Sequence, residues 1–188
     1  MKKFFLLAAP VVAASLATPA AAQPSGARIE GIVGYDRVKI DPDGAGAAAR
    51  DSIQGVLYGV GVGYDFPLGP SLGVGADVEY TDTSTDRNLP TSTFTVRRDI
   101  FVGGRLTAAV SNSFNVYGRL GYTSMQTRLR PDATTALTVS DTHGGVRGAL
   151  GVQFVDESRS FYGVELRYSD YGNDVSRRQA AVVIGTRF

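Results

Sequence analysis

One histidine, His143, stands near Asp141 and Ser140, and a base, an acid and a hydroxyl are the parts from which nucleophilic catalysis is assembled. No recognisable set of nucleophile, base and orienting group surrounds it, and its parity with Arg147 turns it inward or into a loop. No catalytic residue is therefore expected. The run Gly59-Val60-Gly61-Val62-Gly63 has the glycine content of a phosphate loop, yet no helix follows it and no Lys-Ser/Thr pair ends it. Packing within a strand is the expected role. Asp41, Asp43 and Asp51 could attract a divalent cation, but the Ala/Gly tract between them lacks calcium-loop spacing. Neither a cofactor nor a metal site is expected.

The remaining charge follows a different rule. Arg28, Glu30, Asp36, Asp77, Glu79, Arg97, Asp99, Arg105, Arg119, Arg147, Glu165, Arg167 and Arg187 lie at alternate positions of segments that are otherwise apolar or glycine-rich. Residues two apart on a strand share a face. These charges are thus expected to meet one another rather than a substrate, and the elements that must position them are β-strands.

Eight runs of near-period-two alternation are read, at about 27–39, 53–66, 72–83, 93–108, 114–129, 144–155, 161–171 and 177–188. Short turns at 67–71, 109–113 and 156–160 alternate with polar loops at 41–52, 84–92, 130–143 and 172–176. That order is expected of a barrel threaded through a membrane from one side, with short turns at one end and longer loops at the other. The runs also exceed the roughly five or six residues usual in soluble sheets and match the about 9–11 residues that cross a tilted apolar band.

The two faces separate cleanly. Val56, Tyr58, Val60, Val62, Tyr64 and Phe66 oppose Gly55, Leu57, Gly59, Gly61, Gly63 and Asp65, and similar splits recur downstream, with Arg98 an exception on the apolar parity. A soluble barrel would show the same period with the apolar face inward, but its exterior would be crowded with Lys and Glu, whereas this polar face is mostly Gly, Thr, Ser and Arg. Aromatic residues of the apolar face gather at two levels: Tyr64, Phe66, Phe114, Phe154, Tyr162 and Phe188 toward the short turns, and Tyr35, Tyr80, Phe94, Tyr122 and Tyr168 toward the loops. Two such levels are the expected aromatic girdles of a membrane-spanning barrel.

Met1-Lys2-Lys3, the apolar stretch 4–17 and Ala20-Ala21-Ala22 before Gln23 read as a cleaved secretory signal. Pro10, Pro19 and the abundance of Ala over Leu argue against a retained helical anchor. The expected organisation is a signal peptide over 1–22 and one barrel domain over 23–188. Lys and Arg number 19 against 18 Asp and Glu, and setting aside Lys2 and Lys3 leaves one net negative charge, so no nucleic-acid partner is expected. The chain has no Cys.

An eight-stranded barrel is just wide enough to be filled by side chains, and mixed charges inside it are expected to form a hydrogen-bonded plug rather than a conducting path. Glycines of the second and third strands are expected to leave space for Arg147 and Arg167 from the opposite wall. Arg87, Arg128 and Arg130, near the outer rim, are candidates for bidentate contacts to lipopolysaccharide phosphates.

Phe114-Asn115-Val116-Tyr117-Gly118-Arg119-Leu120-Gly121-Tyr122, together with residues 180–188, resembles the small bacterial outer-membrane β-barrel family of the OmpA transmembrane-domain, OmpX and opacity-protein type. The resemblance implies an all-β, eight-stranded antiparallel up-and-down barrel, monomeric, in the outer membrane of a Gram-negative bacterium. It also implies that Phe188 is the signal read by the barrel-assembly machinery, with periplasmic chaperones, outer-membrane lipid and lipopolysaccharide as further partners. The expected role is non-enzymatic, in envelope structure or surface adhesion through the outer loops. Open alternatives are a small porin with a narrow polar channel, a lipid A-modifying enzyme and a periplasmic lipocalin-like binder.

Overall fold

The computed structural model describes residues 23–40, 51–84, 86–89, 92–131, 139–172 and 175–188. The expected signal segment, 1–22, and Asp41 and Asp43 lie outside them. Alternation of β-branched, aromatic and small residues builds nine strands: β1 (Gly26–Ile40), β2 (Asp51–Pro67), β3 (Leu72–Thr83), β4 (Asp86–Leu89), β5 (Ser92–Ser111), β6 (Phe114–Pro131), β7 (Val139–Val155), β8 (Ser160–Asp170) and β9 (Val175–Arg187). Neighbours run antiparallel in the order β3-β2-β1-β9-β8-β7-β6-β5, and β3 pairs again with β5. Eight long strands therefore close into a barrel with no free edge, the condition under which strands can cross lipid.

The seam is the β1–β9 pair. Its last hydrogen bond runs from the Phe188 amide to the Ala27 carbonyl at 2.8 Å. Gly26 sits beside it at φ 90°, and a Cβ there would run into the Phe188 carbonyl, so this corner needs glycine for both conformation and clearance.

Two expected loops are partly strand. Within 84–92, the four residues of β4 form a hairpin with Ser92 to Thr95. Within 130–143, β6 continues to Pro131 and β7 starts at Val139. Both extensions lie beyond the apolar band, where side chains on either face can be polar. The backbone ladder continues there although the hydrophobic alternation that reveals a strand has stopped.

The β5–β6 ladder contains a bulge: Val96 pairs with Thr127 but Asp99 pairs with Met125, so Arg97 and Arg98 together face one residue of β6. An extra residue swaps the faces of everything beyond it. Below the bulge Asp99, Phe101, Arg105 and Thr107 point into the bore, and at the bulge both arginines are exposed.

Candidate functional site

Among the described residues the bore holds seven buried arginines, Arg28, Arg105, Arg119, Arg147, Arg167, Arg177 and Arg187, and seven buried carboxylates, Glu30, Asp36, Asp65, Asp77, Glu79, Asp99 and Glu165. The formal charge of this set is zero. A buried charge is tolerable only when paired and hydrogen-bonded, and the pairing runs the length of the barrel.

Near the short-turn end, Asp65 of β2 takes Arg28 at 2.6 Å and Arg187 at 2.8 Å, while Arg28 also meets Asp77. Arg119 of β6 links this group upward, lying 2.8 Å from Asp77, 3.0 Å from Glu79 and 3.3 Å from Glu165. Glu79 is the hub of the middle. From β3 it accepts hydrogen bonds across the bore from Arg119 of β6 at 3.0 Å, Arg147 of β7 at 3.3 Å and Arg167 of β8 at 2.7 Å. Arg147 then reaches Asp99, which also accepts from Arg177 at 2.5 Å, Thr123 at 2.5 Å and the Tyr171 hydroxyl at 3.2 Å. Arg177 ends the ladder as a bidentate donor to Asp36, at 2.6 and 2.8 Å.

Aromatic rings fill the spaces between the charges. Arg105 lies 3.6 Å from the centroid of Tyr117, and Arg119 lies 4.9 Å from that of Phe101. Planar guanidinium groups can stack on rings while donating to carboxylates at their edges, which an ammonium cannot do as well. Near the long-loop end Val38, Met125 and Tyr171 pack together, and near the other end Val155, Phe161 and Val183 do the same.

Of the polar residues predicted for the interior, Glu30, Asp77, Glu79, Asp99, Arg105, Arg119, Arg147, Glu165, Arg167 and Arg187 are buried in the bore. Arg97 is not; the bulge turns it outward, an irregularity that simple alternation cannot foresee. The glycine prediction also changes in detail. A Cβ on Gly63 would strike Asp77 and Arg28, and one on Gly61 would strike Glu30, so these glycines clear space for charges on neighbouring strands rather than for Arg147 and Arg167. Asp65, placed on the polar face by alternation but not among the predicted interior charges, and Arg177, unassigned from the sequence, join the ladder, and so do the inward rings Phe101, Tyr117 and Phe161. Parity with charges on the same strand was the available signal for the three rings, whereas Asp65 and Arg177 have only uncharged neighbours at their parity.

The outer wall is apolar. Tyr64 and Phe66 lie 4.7 Å apart between ring centroids, and Phe154 and Tyr162 lie 5.3 Å apart, all exposed near the short turns with Phe114 and Phe188. Tyr35, Tyr80, Tyr122 and Tyr168 are exposed toward the loops. The side chain of Phe94 lies outside the described residues, as do those of Arg87, Arg128 and Arg130. At and above the upper tyrosines the wall turns cationic, with Arg178 directly opposite Tyr168. Arg37, Lys39, Arg97, Arg98 and Arg178 are all exposed there.

His143 sits on β7 opposite Met125, with Asp141 at 3.7 Å. Among the described residues no group of His, Cys, Asp and Glu is arranged to hold a metal ion.

The family model for the outer membrane protein beta-barrel domain matches residues 5–188. The chain belongs to that family. Among solved structures, the outer-membrane barrel is similar to Ail, the attachment invasion locus protein of Yersinia pestis, at 18% identity and a TM-score of 0.57, covering 87% of this chain and 99% of that one. It is also similar to Neisserial surface protein A, at 15% identity and a TM-score of 0.61, covering 87% and 98%. The N-terminal β-barrel domain of Pseudomonas aeruginosa OprF matches at 12% identity and a TM-score of 0.52, covering 86% and 97%. At these identities the likeness is one of fold. No curated protein matches the barrel's sequence.

Proposed function

We propose that this barrel is a non-enzymatic, non-conducting protein of the Gram-negative outer membrane that serves envelope integrity and surface contacts through the loops and rim its bore holds rigid. The observation that carries this reading is the charge-balanced ladder from Asp65 to Asp36, which occupies the bore with paired groups instead of leaving one sign of charge to line a path. The tyrosine and phenylalanine levels are the interfacial girdles. Residues 1–22 are the secretory signal, and Phe188, held at the seam, is the mark read by the assembly machinery after delivery by periplasmic chaperones. The barrel acts as a monomer in contact with lipopolysaccharide.

Planar-bilayer recording tests the central claim. Purified barrel, verified by heat-modifiable migration on a denaturing gel, is expected to give no discrete conductance steps at saturating protein. Reproducible single-channel steps would replace this reading with that of a small porin.

A further inference from the structure

Near the short-turn end of the bore, three side chains keep hydrogen-bonding atoms that the charge ladder leaves without a partner. Asn115 of β6 is fully buried, and neither its amide nitrogen nor its amide oxygen is bonded. Gln153 lies directly opposite it on β7; its oxygen accepts from Arg105, and its nitrogen is unbonded. Arg187 of β9 gives Nη1 to Asp65 at 2.8 Å and leaves Nε and Nη2 without an acceptor. Buried polar groups are almost always satisfied, so orphans gathered at one end of a closed bore call for an occupant.

Neighbouring side chains do not supply the missing partners. The positions flanking the pair across the ladders are small: Ala109 of β5 is opposite Asn115, and Gly163 of β8 is opposite Gln153. Arg187 reaches the same end of the bore over the ring of Phe161, which is two residues from Gly163 on the same face. The surroundings are positive. Arg28, Arg105 and Arg187 all act electrostatically on Asp65, whose two oxygens already face Arg28 and Arg187, while the next carboxylates, Glu30 and Asp77, are shared with Arg119.

We propose that Asn115, Gln153 and Arg187 form a binding site for one small inorganic anion of chloride size, held at the short-turn end of the bore as a counter-ion to the arginine cluster. The donor count separates an anion from water. The unbonded atoms of these three side chains are four nitrogens, each with hydrogen to give, and one oxygen, Asn115 Oδ1; turning that amide over exchanges its ends and leaves the count unchanged. A water among them needs acceptors for both of its own hydrogens, and this oxygen is the one on offer. A halide donates nothing and accepts from several sides, and the guanidinium groups balance its charge.

The test uses the mature barrel in two forms, crystals soaked in sodium bromide and protein folded in lipid vesicles. An anomalous bromide peak is expected between Asn115, Gln153 and Arg187. In vesicles, the folding equilibrium constant measured in urea should rise about tenfold for each tenfold rise in chloride above the dissociation constant, because one anion is taken up on folding; ionic strength is held constant with gluconate, which is too large for the site. Asn115→Leu/Gln153→Leu should lose this chloride dependence, and Arg159→Gln, in the exposed turn, should keep it. Asn115→Asp places the negative charge on the protein itself, so it should fold as well without chloride as wild type does with it, and it serves if the Leu double does not fold. A site holding water and no bromide, a wild-type barrel indifferent to chloride, dependence that survives in the Leu double, or destabilisation of Asn115→Asp at every chloride concentration overturns the proposal.

Discussion

The inner and outer faces of this barrel are made from the same strands, residue by alternate residue, yet they obey opposite rules. Inside, each charged side chain answers to named partners: Glu79 alone serves arginines from three other strands, and Asp65 holds both Arg28 and Arg187. Outside, Leu150, Leu166, Val182 and Ile184 face lipid and are 48% to 73% exposed, so they need only be apolar and of tolerable size. The inner face is therefore specified by geometry and the outer face by composition. A bore of this kind is sensitive to single atoms, because removing one partner strands a charge in a low-dielectric space, whereas the wall averages over its contacts.

Substitutions on the two faces can break or sharpen that contrast. The largest effect is expected for Glu79→Ala, which takes a shared carboxylate from Arg119, Arg147 and Arg167 and should cost about 3–5 kcal/mol, read as a lower urea midpoint for unfolding from lipid vesicles. A cost below that of neutral wall changes would mean that the ladder adds little to stability. Next comes Leu150→Arg on the wall, within β7 and opposite Gly118 and Leu166, expected to cost about 2–4 kcal/mol in the same assay through exposure of charge to hydrocarbon. If that substitution were silent, the assignment of the apolar face to lipid would fail. Gly63→Ala adds one methyl where Asp77 and Arg28 already meet and should cost about 1–3 kcal/mol. The smallest effect belongs to Val164→Leu on the outer wall, expected within about 0.5 kcal/mol of wild type. Comparable costs for the last two would erase the distinction between a fitted interior and a permissive exterior.

How much of this was legible beforehand varies with the range of the interaction. Strand number and the polar and apolar faces follow from period-two alternation, which is local, and the long-strand positions agree with it to within a few residues. The ends of β6 and β7 were not legible, because Pro131 and Val139 lie where polarity no longer alternates although the ladder persists. Arg97 was misassigned for a sharper reason: a bulge changes parity by one, and the one hint of it in Val96-Arg97-Arg98-Asp99, Arg98 on the apolar parity, does not say which residue is extra. Asp65 and Arg177 shared the inward parity but sit at strand ends, where a side chain can turn either way until its partner is known.

What the amino-acid order determined by itself is a chain of eight long amphipathic strands with charges on one face, because side-chain direction along a strand is a property of the backbone. Which carboxylate serves which arginine was decided only when the ring closed. Arg177 and Asp36 are 141 residues apart in sequence and meet as a bidentate pair at 2.6 and 2.8 Å, since β9 and β1 form the seam and their register sets both at one height. Closure and register depend on every strand at once, so the pairing that fills the bore, and the bulge that sends Arg97 to the rim, belong to the tertiary structure.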